Sequence, residues 1–222
     1  MSPADRTHRP AEADHPLARM LRDAAFGVPP AVDMEIEALP RVEGATAAVV
    51  AFGGHVVVAA DVPPEWVASR CPRGELVAPI RPQFLAALSE HCGCTDFSHT
   101  ITFAIAPLAG APEMPLFPAR DVPSARVARS LRLRTEVRAY QTAGGTGLLV
   151  LGRGLAGRWE CGIEVRPEAR GRGLGRGLAR AARRLVPPGE PVFGQAVPGN
   201  VASVRMLIGA GFTPVCSEVL LW

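Results

Sequence analysis

The chain contains no lysine; all 24 of its Lys and Arg residues are arginine. This absence excludes any mechanism that needs a lysine nucleophile or a Schiff base. Aromatic residues make up 5% of the chain, and none interleave with its arginine- and glycine-rich stretch, which argues against a stacking surface for RNA. The formal net charge of +3 is too small to make nucleic acid or an anionic membrane the main partner.

Cysteine is scarce as well. Five cysteines in 222 residues are too few, and odd in number, for a disulfide framework, so free thiols are expected. The segment His91–His99 holds two histidines, two cysteines and an aspartate, which are residue types that bind zinc. Its Cys-x-Cys spacing is tight and no second pair stands nearby, so we predict a helix end at Gly93 and no metal.

Long apolar runs are also missing. The longest, such as Ala45–Phe52 and His55–Ala60, fall far short of the roughly 20 residues that span a bilayer. The polar start, Met1–Pro16, lacks the apolar stretch of a secretory signal. We therefore expect a cytoplasmic protein that does not enter a membrane.

What the sequence does contain predicts a folded α/β protein. Hydrophobic residues reach 48%, enough for a packed core, and strand-like and helix-like segments alternate along the chain. We predict a disordered tail over residues 1–14, an N-terminal α/β domain over 15–118 and a second domain over 119–222. The Pro- and Gly-rich segment Ala109–Pro118 is the predicted linker.

A weak internal echo links the two predicted domains. Asp61-Val-Pro-Pro-Glu65 follows a predicted hairpin much as Glu164-Val-Arg-Pro-Glu168 follows a later strand. This favours a first domain that is a degenerate copy of the second. Short apolar strands that end in proline are common, so the repeat stays an open alternative.

The segment from Trp159 to Gly177 carries the strongest functional signal. A strand leads into a glycine-rich turn, and the turn opens an amphipathic helix. Helix N-termini present unpaired N–H groups and a positive dipole end, and glycines let a backbone approach a phosphate closely. Such a turn is a ready anion site. Positive charge surrounds it, from Arg170, Arg172 and Arg176.

Two other phosphate motifs fit less well. The stretch Gly152–Gly157 matches G-x-G-x-x-G, but a strand-like segment follows it where a dinucleotide-binding fold requires a helix. A P-loop requires Gly-Lys-Ser/Thr, and the chain has no lysine.

The turn resembles a motif of the GNAT N-acetyltransferase superfamily. Arg170-Gly-Arg-Gly173-Leu-Gly175 fits the family pattern Arg/Gln-x-x-Gly-x-Gly/Ala. Asn200-Val-Ala-Ser203, followed by Gly209-Ala-Gly-Phe212, resembles the family's next motif, in the same order and with a strand between. The resemblance covers about residues 122–222. It implies a mixed central sheet flanked by helices and the use of acetyl-CoA as co-substrate.

By the same resemblance, the CoA arm would lie in an opening between the strands Trp159–Val165 and Val192–Val197. Backbone groups of the first strand would hold the pantetheine, and the glycine-rich turn would hold the pyrophosphate. The residues so implied to bind acetyl-CoA are Ile163, Glu164, Val165, Arg170, Gly171, Arg172, Gly173, Leu174, Gly175, Arg176, Asn200 and Ser203. Asn200 is equally a candidate for a helix N-cap.

Acyl transfer to an amine needs a base, since an amine with a pKa near 10 is mostly protonated at neutral pH. Glu160 occupies the strand position where family members carry a carboxylate base. An ion pair with Arg158 or Arg166 is the alternative role for Glu160. One departure stands out: the family's general acid, a tyrosine seven residues after the motif asparagine, is Leu207 here, and the single tyrosine, Tyr140, is predicted to pack in the core.

The function predicted from sequence is therefore transfer of an acetyl group from acetyl-CoA to a primary amine. The N-terminal half is expected to complete the acceptor site or to form the surface of a homodimer. The alternative, favoured by Leu207, is a GNAT-derived protein that binds acyl-CoA with little or no turnover.

Overall fold

The computed structural model describes residues 15–120 and 122–222; the predicted tail lies outside these ranges. Within them, ten strands form one mixed sheet flanked by six α-helices. In chain order the elements are α1 (Pro16–Ala25), β1 (Ile36–Leu39), β2 (Ala47–Ala51), β3 (Val56–Ala59), α2 (Pro64–Ala68), α3 (Pro82–Cys92), β4 (Phe97–Ile105), β5 (Phe117–Pro118), α4 (Ala125–Leu133), β6 (Thr135–Gln141), β7 (Gly147–Arg153), β8 (Trp159–Val165), α5 (Leu174–Ala182), β9 (Val192–Ala196), α6 (Val201–Gly209) and β10 (Thr213–Leu221).

Local signals explain where several of these elements begin and end. α1 starts at a proline behind His15, whose ring nitrogen accepts a hydrogen bond from the Leu17 amide at 3.2 Å. The apolar runs on either side of Gly53-Gly54 predict a hairpin, and β2 and β3 do form an antiparallel hairpin there. α3 ends, as predicted, where Gly93 takes the left-handed conformation with φ +68°.

The sheet has the strand order β1-β3-β2-β10-β4-β9-β8-β7-β6-β5, which confirms the predicted fold class. Most neighbours are antiparallel, but β1 pairs with β3, and β8 with β9, in parallel. The β8–β9 ladder covers only Trp159–Cys161 against Val192–Gly194. Beyond those pairs the two strands separate, which leaves an opening at the C-terminal end of β8.

Strands from both predicted domains share this sheet. β4 precedes the predicted boundary at 118/119, yet it lies between β9 and β10, which follow that boundary. The sequence pattern predicts that this strand starts at Ile101, but β4 begins four residues earlier, at Phe97. The division into two units stays a proposal about the sequence, since their strands are hydrogen-bonded to each other in space.

The start of the predicted linker and the residues just before it contact the chain that follows α5. The sequence predicts a helix over Gly173–Val186, closed by Pro187-Pro188-Gly189, but α5 ends four residues earlier, at Ala182. The arginines after it bond the preceding segment: Arg183 Nε donates to the Ala106 carbonyl at 2.8 Å, and Arg184 bonds the Ala109 carbonyl. The amphipathic pattern of this helix predicts that Arg183 and Arg184 face water or the outer phosphates of a ligand, whereas both bond main-chain carbonyls.

Three clusters of buried side chains cover the two faces of the sheet. α1 packs against one face of the β1–β3 region, and α2 and α3 pack against the other. α5 and α6 cover the face of β7, β8 and β9, where Leu178, Ala179 and Ala182 are fully buried. This packing holds α5 against β7 and β8, so the turn that precedes α5 lies near the end of β8. All five cysteines are unpaired, as expected.

No helix among the described residues combines the length and the apolar character that crossing a membrane requires.

Candidate functional site

The glycine-rich turn between β8 and α5 presents a row of free backbone donors. Gly171 and Gly173 have φ of +75° and +82°, and α5 begins at Leu174. Within the described residues, the N–H groups of residues 171–176 donate to no carbonyl or side chain, and Gly177 N is the first to bond, to Gly173 O at 3.1 Å. Gly171 and Arg172 are exposed, so the donors are open to a ligand.

Arginine side chains surround this turn in two different ways. Arg170 Nε donates to the Val165 carbonyl at 3.0 Å, which ties the turn to the last residue of β8. Arg172 and Arg176 are exposed, and neither forms an ion pair with a described residue. Gly175 lies close to α6, since a Cβ there would be 3.2 Å from Met206 Cγ. The turn is therefore held rigidly while two guanidinium groups stay available.

A cavity of about 570 Å³ lies in the opening between β8 and β9. Five of the predicted site residues line it: Glu160, Ile163, Glu164, Asn200 and Ser203. The other predicted residues, Val165 and Arg170–Arg176, lie at the end of β8 and on the turn that follows. The cavity wall also includes residues of the N-terminal half, namely Gly44, Ser98 and Thr100.

Helix α4 and its flanking residues lie over one face of β8, as three successive contacts show. Ser124 Oγ donates to Glu164 Oε2 at 2.9 Å. The Arg126 side chain crosses Gly162, where a Cβ would be 3.2 Å from Arg126 Cδ. Arg134 Nε donates to Glu160 Oε2 at 2.9 Å. Glu160, Gly162 and Glu164 therefore share a face, as their alternation predicts, and α4 closes the cavity above them.

Glu160 is 4% exposed and its carboxylate is fully engaged. Its Oε1 accepts hydrogen bonds from Arg158 Nε at 2.9 Å and Gln195 Nε2 at 3.0 Å. Burial alone would raise the pKa of Glu160. The charges of Arg134 and Arg158 outweigh burial and hold that pKa below its usual value. The ion pair with Arg158, the alternative role for Glu160, is therefore present.

The same arginine links Glu160 to a second buried carboxylate. Arg158 Nη2 donates to Glu218 Oε1 at 2.8 Å, and Gln195 Nε2 reaches the same oxygen at 2.9 Å. Burial would lower the pKa of Arg158, but Glu218 and Glu160 raise it instead. Sequence reasoning missed Glu218 and Gln195, because β10 and β9 approach Arg158 only through sheet pairing.

The glycines of the discounted G-x-G-x-x-G stretch serve packing here. A side chain at Gly154 would overlap the Glu160 carboxylate. Leu155–Gly157 forms a single 3₁₀ turn before β8, in agreement with the absence of a dinucleotide-binding helix. Close approach to Glu160, rather than to a phosphate, explains the small residue at position 154.

On the other side of the opening, Asn200 caps α6. Its Oδ1 accepts a hydrogen bond from the Ser203 amide at 3.0 Å, so the N-cap role is present in a residue that also lines the cavity. Leu207 is buried in the wall, where a Cβ on Gly194 would be 2.7 Å from Leu207 Cδ2. An apolar side chain thus stands where the family resemblance calls for a tyrosine hydroxyl.

Neither the single tyrosine nor the cysteine nearest the opening is a ready acid or nucleophile. Tyr140 packs against the core cluster beneath α5, the role predicted from sequence. Cys161 lines the cavity, but burial raises the pKa of its thiol to about 12. No group of three or more His, Cys, Asp or Glu side chains among the described residues is placed to hold a metal ion.

No family model matches this chain, and no curated protein matches it. Solved structures do resemble it. A GCN5-related N-acetyltransferase from Kribbella flavida is 16% identical, with 92% of this chain and 93% of that chain covered and a TM-score of 0.41. A putative GNAT-family acetyltransferase from Novosphingobium aromaticivorans is 17% identical, with 58% and 65% covered and a TM-score of 0.38. A Drosophila protein is 16% identical, with 63% and 57% covered and a TM-score of 0.42.

The likeness is one of fold. Similar structures include members of the GNAT family, whose motifs the sequence resembles. The chain spans 57% and 65% of the length of two of these three proteins.

Proposed function

We propose that this protein is an N-acyltransferase that moves the acetyl group of acetyl-CoA to a primary amine. One observation carries the proposal: β8 leaves its parallel partner after Cys161, and a short 3₁₀ turn, Pro167–Ala169, leads from its end to six backbone donors that bond no described residue. An exposed strand edge and an anion site thus follow each other along a single stretch of chain. This arrangement suits a long ligand with a diphosphate at one end and a reactive group at the other.

The turn and its charges support binding of the diphosphate. The N–H groups of residues 171–176, which bond no described residue, lie in the first turn of α5 and just before it, where the helix dipole adds positive potential. Arg172 and Arg176 can pair with further phosphate oxygens. The residues of β8 after Cys161 have no partner on β9, so backbone groups of Ile163 and Val165 are proposed to bind the amide-containing arm.

The proposed chemistry is direct attack of a neutral amine on the thioester carbonyl. A C–N bond forms, the C–S bond breaks, and the amine proton leaves to solvent. A backbone N–H of β8 in the opening would stabilise the charge that develops on the carbonyl oxygen. The thiolate leaves without an acid, because a thiol pKa of about 8.5 makes it a good leaving group. The apolar wall at Leu207 is compatible with this.

Release of free thiol tests the proposed function. Incubation of the protein with acetyl-CoA and a broad panel of primary amines is expected to liberate CoA thiol with at least one amine, in proportion to protein concentration. CoA binding without thiol release across the panel would instead support the second candidate, an acyl-CoA-binding protein without turnover. The observation that favours this second candidate is the buried Leu207 in place of a hydroxyl.

Glu160 as the base stays a prediction, and its contacts favour a positioning role. A base works best with a pKa near the working pH, whereas two guanidinium groups lower the pKa of Glu160. We expect Glu160→Gln to retain CoA affinity and the wild-type shape of the pH profile of kcat/KM, while its midpoint of urea unfolding falls. Loss of the acidic limb of that profile in the variant would assign Glu160 as the base.

A further inference from the structure

The part of the cavity under α4 is lined by two arginines that form no ion pair with a described residue. Arg126 and Arg129 stand three residues apart on α4, a spacing that places both on one side of the helix, and both line the cavity. Arg134 also lines it, but its guanidinium group forms an ion pair with Glu160, and its Nη2 donates a hydrogen bond to Gln195 Oε1. The first two arginines therefore differ from the third in what they contact.

Neither guanidinium group of the pair is neutralised by a direct contact. Among the described residues, Arg126 and Arg129 form no ion pair and no side-chain hydrogen bond. The acidic side chain whose charge acts most on Arg126 is Glu164, which already accepts a hydrogen bond from the Ser124 hydroxyl. Desolvation lowers the pKa of Arg126, and the Glu164 charge offsets this only in part. Both arginines are exposed, so an incoming anion can reach their unpaired guanidinium groups.

The position of Arg126 places this charge beside the proposed reaction centre. The Arg126 side chain crosses Gly162, with its Nη1 3.3 Å from where a Cβ would stand. Gly162 is the first residue of β8 after the last pair with β9. Arg129 lies further along α4, with its guanidinium carbon 5.4 Å from the centre of the Trp222 ring. The two charges therefore extend from the strand opening towards Trp222, which follows β10.

We infer that the acceptor is a small amine that also carries an anionic group, carboxylate or phosphate, which Arg126 and Arg129 bind. The inference rests on the proposed function and adds the substrate class to it. A guanidinium group matches the two oxygens of a carboxylate or phosphate in a fork of parallel hydrogen bonds. An amine without an anion would bring a further positive charge into a cavity that already holds those of Arg126 and Arg129.

The same charges account for how the amine becomes reactive. A nearby positive charge disfavours the protonated form of an amine and lowers its pKa. A bound carboxylate would cancel only one of the two arginine charges, and the remaining positive charge would raise the fraction of neutral amine without a protein base. This fits an active site in which Glu160 is occupied by Arg134 and Arg158.

Matched pairs of acceptors test the inference. Glycine against methylamine, phenylalanine against phenethylamine, and phosphoethanolamine against ethanolamine differ by the anionic group. We expect the anionic member of at least one pair to have a kcat/KM at least about tenfold higher, as one charge-assisted hydrogen bond would give. The carboxylate and phosphate arms show which anion is bound. Equal rates, or a preference for the members without an anionic group, would overturn the inference while leaving the acyltransferase intact.

Variants link the preference to the two arginines. Arg126→Gln and Arg129→Gln, alone and combined, are expected to remove the preference for the anionic acceptor and to keep the thermal shift produced by CoA, which also shows that they fold. Arg132→Gln is the matched control: it lies on the same helix, but its exposed side chain pairs with Asp96 at 3.5 Å outside the cavity. An unchanged preference in the double variant would overturn the assignment.

Binding measured without turnover separates this inference from the proposed function. If no acceptor releases thiol, the same anionic probes are still expected to raise the melting temperature of the CoA-bound protein, and to do so only with Arg126 and Arg129 present. That result would reject the acyltransferase and retain the anion site. Absence of any shift with every anionic probe would reject the anion site.

Discussion

Gly173→Asp is expected to abolish the thermal shift that CoA produces. The new carboxylate would stand among the free N–H groups of residues 171–176, occupy the positive end of α5 and repel the diphosphate. Gly173 also has φ +82°, a conformation that costs an L-residue roughly 1–2 kcal/mol. The measurement is a thermal-shift titration with CoA on both proteins.

The backbone cost needs its own control, and the chain offers one. Gly189 has φ +81° and nothing within 4 Å of a Cβ position, and it is exposed in the turn after α5. Gly189→Asp adds the same charge with the same strain, so it should lower the melting temperature without reducing the CoA shift. If Gly173→Asp kept the shift, or if both variants lost it, the turn would not be the diphosphate site.

Arg158→Met is expected to lower the free energy of unfolding by about 3–5 kcal/mol, because removing one member of a buried ion network leaves unpaired charge in the core. Arg158 bridges Glu160 and Glu218, which are 4% and 1% exposed. Its removal would leave two carboxylates close together without their shared cation. Urea unfolding followed by circular dichroism measures the change.

Arg132→Met provides the comparison for that loss. The exposed pair of Arg132 with Asp96, at 3.5 Å, should contribute about 0–1 kcal/mol, as surface ion pairs do. A loss in Arg158→Met no larger than in Arg132→Met would mean that the buried network contributes nothing beyond a surface pair. The two substitutions are chemically identical, so the difference between them reports burial.

The sequence allowed good predictions wherever the signal was local. The hairpin at Gly53-Gly54, the end of α3 at Gly93 and the strand Trp159–Val165 agree with the structure, because turn glycines and alternating side chains act within a few residues. The end of α5 was predicted four residues late. The apolar pattern continues to Val186, but the residues after Ala182 bond to the segment before β5 instead of extending the helix.

Non-local features could not be predicted in the same way. No pattern within Phe97–Ile105 shows that β4 inserts between β9 and β10, which come about 90 residues or more later in the chain. The same holds for Arg126 and Arg129, which look like ordinary exposed helix residues in the sequence. Only their placement over Gly162 and beside Trp222 brings them into the cavity.

The sequence by itself determined the turn: glycines at 171 and 173 allow positive φ, and the helix start that follows leaves its first amides unpaired whatever else surrounds it. Tertiary structure decided the state of Glu160, because two of the groups that fix it, Arg134 after α4 and Gln195 on β9, lie far from it in sequence. Backbone conformation depends on neighbours along the chain, whereas the protonation of a buried carboxylate depends on charges brought close in space.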